Sequence, residues 1–485
     1  MSGQVNRREF IQMTAGGVAY FAGAGLLRAG TQAGVTKLVS PGCRKSKVKV
    51  ARIYVGTKGG LWPKPKLNLQ DEIRAYEGQF AKLGKEVADV EFVSNALVTS
   101  AESAQNLKGR LQDVDGVLVI HLSMGIGGIL EAILSAGKPT AVFAIPYSGH
   151  EWSSWGSLQK QPAGAKMECF LTTDYSRLAA AIRPFRAIHH LREAKILNVT
   201  TRDFTGYADS MKKKFGTEMK RIDLDTVVKA YNAISDEDAK AETERWIKGA
   251  EAVVEPGRDD IYKSCKLALA FENMMAEEEA TVLTVDCYGT MWDRTIKLPG
   301  YPCLGFCRLN DMGLGGICES DMSCAMTHIL LQGLTGKPGF VSDPTVDESI
   351  NSIILAHCMG SRKMDGPDGP LSPYKLRTVH EREEGVAPQS QMRKGQKVTQ
   401  AILSGTDLIL YFTGDIIDTP VGVEFDRGCR TKITVKVDGS VETLWKNWSH
   451  GLHRQTVYGD VTKELARFCR YENIKLVNEA ASQPA

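Results

Sequence analysis

The feature that most constrains the fold of this chain is an alternation of short apolar runs with helical segments near its start. Val48 to Val55, Gly116 to His121 and Thr140 to Pro146 are β-branched or apolar runs typical of buried strands. Leu69 to Val87 and Ala101 to Leu111 have the periodicity of helices. Because parallel strands need long crossover connections, this alternation predicts a parallel sheet covered by helices on both faces.

The same alternation starts again near Lys195. Ile196 to Thr200 and Ala280 to Asp286 are the predicted strands of this second unit. Asp236 to Ala252 and Asp259 to Glu278 are its predicted helices, the first charged and amphipathic and the second mostly apolar. We therefore expect a second α/β domain with a parallel sheet.

The pattern changes beyond Gly360. Lys363 to Gly395 is charged and rich in Pro and Gly without a clear period, which predicts loops that cross the surface. Val398 to Leu403, Asp407 to Thr413 and Lys432 to Val437 alternate in the way antiparallel strands do. These segments predict a β-rich domain in the C-terminal part of the chain.

The length of 485 residues exceeds what one compact core accommodates, so several domains are expected. The predicted fold class is α/β, with two Rossmann-like parallel-sheet domains followed by a β-rich C-terminal domain. The predicted bounds are 1–33 for a targeting segment, 34–170 and 171–310 for the α/β domains, and 311–485 for the C-terminal domain.

The composition is that of an ordinary globular protein, with 43% hydrophobic residues, 24% charged residues and a net charge of +3. No basic field is present, so we expect no nucleic-acid partner. The eleven cysteines are an odd number and lack the paired spacing of a zinc finger, so we expect most of them to be free thiols.

The first residues have the features of an export signal. Arg7 and Arg8 lie in a segment that resembles a twin-arginine signal, and a Gly/Ala-rich stretch from Thr14 to Leu27 follows, with small residues near Ala33. That stretch is too short and too rich in glycine for a stable membrane span. A disordered basic N-terminus is the alternative. With the signal, the expected location is periplasmic or extracellular.

Candidate site residues cluster between Gly315 and Gly360. Glu319 and Asp343 lie at the ends of apolar segments, and His357 ends an apolar, β-branched run. Two carboxylates and one imidazole beside buried segments are suitable ligands for a hard divalent cation. The same residues also have purely structural explanations, as a helix cap, a turn residue and an ordinary histidine at a strand end.

Four short blocks of this segment resemble the core of the L-fucose isomerase and L-arabinose isomerase superfamily. The family patterns are A-C-E-G-D, L-T-G-x-P, F-x-x-D and H-C-G. The corresponding residues here are Cys318 to Asp321, Leu334 to Pro338, Phe340 to Asp343 and His357 to Gly360. The 24-residue spacing between the two acids matches the fucose isomerase branch.

Two later segments extend the resemblance. Phe425 to Thr431 is similar to the family's G-G-C-R-T turn, although Arg427 replaces a small residue. Val457 to Asp460 matches the V-Y-G-D of the pattern H-H-x-x-x-V-Y-G-D. Counting back from it places the second family histidine on His453, whereas Leu452 stands where the first would be.

The resemblance implies an aldose–ketose isomerase that binds Mn²⁺, or another divalent cation, and acts through an ene-diol. Glu319 and Asp343 would then be both metal ligands and the acid/base pair. His453 would be the third ligand, and His357 is a further candidate. The expected supporting residues around the ligands are Asp321 and Arg430.

The resemblance also implies a monosaccharide substrate and a homo-oligomer, either a trimer or a hexamer. Candidate sugar-contacting residues are His150, Trp152, Tyr288 and Trp292. Two alternatives remain open: a metal-dependent sugar epimerase, and an exported sugar-binding protein that kept the fold without the chemistry. The missing first histidine and the export signal prompt the second alternative, whereas the presence of both acids and of one histidine favours an enzyme. No motif identifies the sugar.

Overall fold

The computed structural model describes residues 38–59, 62–287, 289, 297–420 and 427–481. The predicted export signal and two of the predicted sugar-contacting residues, Tyr288 and Trp292, lie outside these ranges. Within them, none of the helices has both the length and the apolar character that crossing a bilayer requires.

The first part of the chain forms a five-stranded parallel sheet, as predicted. Its strands are β1 (Val48–Val55), β2 (Val90–Val98), β3 (Gly116–His121), β4 (Thr140–Ala144) and β5 (Met167–Leu171). They lie in the order β2-β1-β3-β4-β5, a common order among doubly wound folds. The helices are α1 (Leu69–Leu83), α2 (Ala101–Gln105), α3 (Gly127–Leu134), α4 (Trp152–Leu158) and α5 (Arg177–Glu193). The sequence analysis predicted neither β5 nor α5, and α2 ends before the predicted Leu111.

A second parallel sheet follows, also as predicted. Its strands are β6 (Lys195–Val199), β7 (Glu218–Ile222), β9 (Val282–Val285) and β10 (Gly315–Ile317), in the order β10-β9-β6-β7, while β8 (Ala252–Val253) lies outside it. The helices of this region are α6 (Thr205–Phe215), α7 (Leu224–Ala233), α8 (Asp236–Gly249), α9 (Arg258–Glu277) and α10 (Cys303–Asp311). Strand β10 belongs to this sheet although it follows residue 310, the predicted end of the second domain. The domain bounds themselves stay a prediction.

The remaining strands form a β-rich region that contains a closed barrel. They are β11 (Phe340–Asp347), β12 (Ser352–His357), β13 (Tyr374–Val379), β14 (Glu384–Ser390), β15 (Lys397–Ser404), β16 (Leu408–Asp418), β17 (Thr431–Val437), β18 (Arg454–Tyr458) and β19 (Lys475–Asn478). Antiparallel pairing runs through β15, β18, β11, β12, β17 and β16, and β16 pairs with β15 again, which closes the barrel. Strand β19 joins the outside of this ring parallel to β16.

The prediction of surface loops from Lys363 to Gly395 was wrong. Strands β13 and β14 form a largely buried antiparallel hairpin there, and β13 also pairs with β8. Pro388 and Gly385 lie within or near strand residues, so local composition concealed the hairpin. Buried Arg377 in β13 donates to Glu255 at 2.7 Å. Such a long-range ion pair leaves no periodic signal in the sequence.

Helix α11 (Met322–Thr335) joins the second sheet to the barrel, and α12 (Val441–Asn447) and α13 (Thr462–Glu472) complete the C-terminal part. Helix α11 is buried along most of its length because it packs against α5 and β15. Gly333 permits this close packing, since a Cβ atom there would lie 2.6 Å from the Cα of Ala187. The C-terminal half of α11 therefore packs directly on the backbone of α5.

Candidate metal centre

Three neighbouring barrel strands bring three candidate ligands to one end of the barrel. Asp343 lies in β11 and pairs with Ala356, the residue before His357 at the end of β12. On the other side of β11, Ser342 pairs with Arg454, the first residue of β18. His453 immediately precedes that strand, so this register places His453 beside Asp343. Residues more than a hundred positions apart thus meet because their strands are adjacent.

The fourth candidate, Glu319, comes from the turn between β10 and α11. This turn follows the carboxyl end of a parallel strand, the edge at which open α/β sheets bind ligands. Glu319 and Ser320 both have positive φ, 64° and 54°, which costs on the order of 1–3 kcal/mol per residue. The turn is held by hydrogen bonds from Ser320 N to Val285 O at 2.8 Å, from Ser320 Oγ to Asn198 Oδ1 at 2.8 Å, and from Arg202 to Glu319 O at 3.0 Å.

The carboxylates and imidazoles lie close to one another. Glu319 Oε1 lies 3.5 Å from His357 Nε2, and Glu319 Oε2 lies 3.7 Å from His453 Nε2. The same nitrogen of His453 lies 3.1 Å from Asp343 Oδ1. One ligand atom from each of Glu319, His357 and His453 falls within 4.8 Å of the others. This spacing is that of side chains that can share one cation.

The state of His357 provides a test of whether these residues fit a metal ion. Its side chain is 2% exposed, and neither ring nitrogen has a hydrogen-bond partner in the part of the chain that the structure describes. An unpartnered buried polar group costs free energy, so such groups are rare without a ligand. Carboxylate oxygens and imidazole nitrogens together suit a divalent cation such as Mn²⁺. The residues present therefore fit a metal held by Glu319, His357 and His453, with the carboxylate of Asp343 beside His453.

The local electrostatics are those of a strongly coupled acid–imidazole cluster. Burial by itself would lower the pKa of His453, but its contacts with Asp321 and Asp343 outweigh burial and raise this pKa to about 10. Burial would raise the pKa of Asp343, whereas the hydrogen bond from His453 and the nearby imidazoles hold it below its usual value. A proton and a cation therefore compete for the Nε2 atom of His453.

Of the two expected supporting residues, Asp321 lies at the cluster. Its Oδ2 is 3.0 Å from His453 Nδ1, and its Oδ1 accepts from Cys324 N at 2.8 Å, so it also caps α11. Arg430 donates to the carbonyl oxygen and the hydroxyl of Thr378, on the neighbouring hairpin. These contacts of Arg430 do not reach Glu319.

The other histidine near the family motif does not join the cluster. His450 is exposed, and its Nδ1 lies 2.9 Å from Ser404 Oγ. Leu452, at the position of the first family histidine, is 57% exposed. Among the described residues, His357 is the second imidazole at the cluster, and it comes from a different strand.

The two described sugar-contacting candidates lie by the first sheet. Trp152 is 65% exposed at the start of α4, and the ring of His150 stacks on Trp155 with centroids 5.8 Å apart. No hydrogen bond, ion pair or ring contact of the described residues joins His150 or Trp152 to Glu319. Their role in binding a sugar stays a prediction.

A small cavity lies directly beside Glu319 and His357. The other lining residues are Cys287, Tyr301, Pro302, Cys303, Cys318 and Cys358. Most cysteines were expected to be free thiols, and the sequence did not reveal that these four converge. Cys287 and Cys318 follow the ends of the parallel strands β9 and β10, and that position was the available signal.

Fold and site together define a mixed α/β protein, with two parallel sheets and a β-barrel, that carries a carboxylate–imidazole cluster suited to a divalent cation. No family model matches the chain. The chain is similar to sulfoquinovose isomerase from Clostridium sp. (strain MSTE9), with 25% identity over 322 residues, which are 60% of this chain and 65% of that protein. The match thus spans less than two-thirds of the relative's length. This similarity supports a relationship with sugar isomerases.

Proposed function

We propose that this protein is a metal-dependent aldose–ketose isomerase of the L-fucose isomerase type. The observation that carries the proposal is the meeting of Glu319, Asp343, His357 and His453, from separate parts of the chain, around one common space. The similarity to a sugar isomerase supports the same reaction class. If these residues were purely structural, there would be no reason for a buried His357 whose ring nitrogens have no hydrogen-bond partner among the described residues.

Glu319 and Asp343 are the proposed acid/base pair. Both carboxylates border the Nε2 atom of His453, at 3.7 and 3.1 Å, so a sugar bound there has a carboxylate in reach of each of two adjacent carbons. One carboxylate removes the proton next to the carbonyl group, and a proton is then delivered to the neighbouring carbon. The exchange conserves the oxidation level of the whole sugar, so no external oxidant is required.

The proposed cofactor is Mn²⁺, and other divalent cations suit the same donors. When bound, the cation would act as a Lewis acid that stabilises negative charge on the substrate oxygens. Asp321 orients His453 by accepting a hydrogen bond from its Nδ1 atom, so that Nε2 faces the site. The strained turn at Glu319 and Ser320 holds the carboxylate of Glu319 towards both imidazoles.

The proposed substrate is a monosaccharide, and sulfoquinovose is its first candidate because the relative is named for that sugar. The proposal also includes export by the twin-arginine route and assembly into a trimer or hexamer. N-terminal sequencing of the protein from the periplasm tests the first of these, and light scattering of the purified protein tests the second.

The deciding experiment is an assay of the chelator-treated protein reloaded with Mn²⁺ against a panel of aldoses that includes sulfoquinovose. NMR of the products distinguishes a ketose, which we expect, from an epimer. Glu319→Gln should abolish turnover, whereas Glu237→Gln, an exposed position in α8, should leave it unchanged. Full activity of the Glu319→Gln variant, or equal activity without metal, would overturn the proposal.

A further inference from the structure

A second group of metal-binding side chains lies next to the candidate metal centre. Cys358, Glu381 and Cys429 each have a ligand atom within 4.8 Å of the other two. Cys429 Sγ lies 2.9 Å from Glu381 Oε1, and Cys358 Sγ lies 3.9 and 3.6 Å from the two carboxylate oxygens. The sequence spacing of these residues matches no zinc-finger motif, so only the fold assembles them.

The three residues come from three different segments. Cys358 follows β12, Glu381 lies in the turn between β13 and β14, and Cys429 lies two residues before β17. Cys303, at the start of α10, lines the same cavity as Cys358. A cation at this place would join the β13–β14 hairpin to the barrel and to the second sheet.

This cluster is separate from the group formed by Glu319, His357 and His453. His357 and Cys358 are consecutive residues and both line the cavity beside Glu319, but each belongs to a different group of ligand atoms. The two groups of ligand atoms accordingly share no residue. Their donor sets also differ, because the first offers only oxygen and nitrogen and the second offers two sulfur atoms.

The charge balance of the second cluster favours a cation. The part of the chain that the structure describes contains no lysine or arginine that forms an ion pair with Glu381. The carboxylate oxygens of Glu381 instead face the thiols of Cys358 and Cys429. A bound cation would give this carboxylate a counter-charge.

We propose that Cys358, Cys429 and Glu381 bind Zn²⁺ at a second site, beside the cavity that Cys303 also lines. Thiolate ligands select Zn²⁺ over Mn²⁺. A tetrahedral zinc ion with Zn–S bonds of about 2.3 Å and a Zn–O bond of about 2.1 Å holds its sulfur and oxygen ligands about 3.6 Å apart. The separations from Cys358 to Glu381, 3.6 and 3.9 Å, are close to this value. Cys429 Sγ and Glu381 Oε1, now 2.9 Å apart, would move apart when the ion binds. Binding releases the thiol protons to solvent, and no electrons are transferred.

The test measures how many zinc ions bind to the full-length, reduced protein when the candidate metal centre at Glu319 and His453 has been removed by mutation. The Glu319→Gln/His453→Gln variant is incubated with Zn²⁺ and passed through a desalting column, and its metal is measured by mass spectrometry. We expect one zinc ion per chain. Adding Cys358→Ser and Cys429→Ser should reduce the count to zero, whereas adding Cys469→Ser, a buried thiol in α13, should not change it.

Cobalt provides an independent signal for thiolate ligation. Co²⁺ bound in the same background should give a sulfur-to-cobalt charge-transfer band in the near ultraviolet, and the band should be lost in the serine variant. Glu381→Gln, which keeps both thiols, should lose zinc on desalting while its circular dichroism spectrum is unchanged. That variant separates a lost ligand from a lost fold.

Three results would overturn the second site. They are no zinc on the folded background variant, a zinc count that persists after both serine substitutions, and a Cys358–Cys429 disulfide in freshly purified protein. All of these readouts are independent of isomerase activity. The proposed reaction can therefore fail while the zinc site holds, and the converse is also true.

Discussion

The Nδ1 atom of His453 lies 3.0 Å from Asp321 Oδ2, while its Nε2 atom faces Glu319 and Asp343. The carboxylate of Asp321 therefore orients the imidazole ring of His453, which faces the carboxylates of Glu319 and Asp343. Asp321 also caps α11, and α11 is buried between α5 and the barrel. The position of the candidate ligand thus depends on the packing of a helix that contributes no ligand of its own.

Asp321→Asn should separate these two roles of Asp321. Asparagine retains the helix cap, so stability should change little. The loss of charge beside His453 should weaken Mn²⁺ binding by about 10- to 100-fold, as for other residues that orient a ligand. Isothermal titration with Mn²⁺ and a thermal melt measure the two effects. Unchanged affinity in the folded variant would contradict the orienting role.

Asp343→Asn should remove half of the proposed acid/base pair. We expect turnover to fall by about 10²- to 10⁴-fold, the usual contribution of general acid–base catalysis. Steady-state kinetics at saturating Mn²⁺ measure the effect. Asp418→Asn, an exposed carboxylate in β16 paired with Lys394, is the control and should behave as the unmodified protein. A normal rate in the Asp343→Asn variant would remove Asp343 from the mechanism.

Ser320 offers a test of the strained turn. Ser320→Ala and Ser320→Gly both remove the hydroxyl bonded to Asn198, but only glycine adopts φ near 54° without cost. The glycine variant should therefore be more stable than the alanine variant by about 1 kcal/mol. Urea unfolding of both variants measures the difference. Equal stabilities would mean that the turn relaxes and stores no strain.

Acid should destabilise the protein through buried His328. Burial lowers the pKa of His328 in the folded protein to about 4, whereas the unfolded chain has the ordinary value of about 6.5. Since the unfolded state then binds more protons, the stabilising contribution of the neutral ring is present above pH 6.5 and lost as pH falls to about 4. The loss amounts to about 3 kcal/mol.

The measurement is the free energy of unfolding in urea at a series of pH values between 4 and 7. His328→Gln should reduce the change of the unfolding free energy with pH, even if the substitution also changes the stability at neutral pH. His450→Asn changes an exposed ring and should leave the slope unchanged. If the His328→Gln variant keeps the full slope, other groups are responsible for the acid loss.

Local pattern was sufficient for β1, β3 and β4 of the first sheet, for β6 and β9 of the second, and for β15, β16 and β17 of the barrel. The apolar run from Val48 to Val55 and the alternating pattern from Val398 to Leu403 each predict a strand without any knowledge of the rest of the chain. The hairpin of β13 and β14 could not be predicted from local pattern, because the charged residue Arg377 is buried there by pairing with Glu255. A buried charged residue can be predicted only when its distant partner is known.

The sequence by itself indicated the alternation of strands and helices in the two α/β regions, and it placed Glu319, Asp343 and His357 at the ends of apolar segments. Resemblance to a family added His453. Only the tertiary structure decided that these groups face one another, that Asp321 orients His453, and that Cys358, Glu381 and Cys429 converge. The reason is physical: periodicity records how each segment buries its own apolar face, whereas a site depends on which segments become neighbours. Strand register and helix packing make that choice.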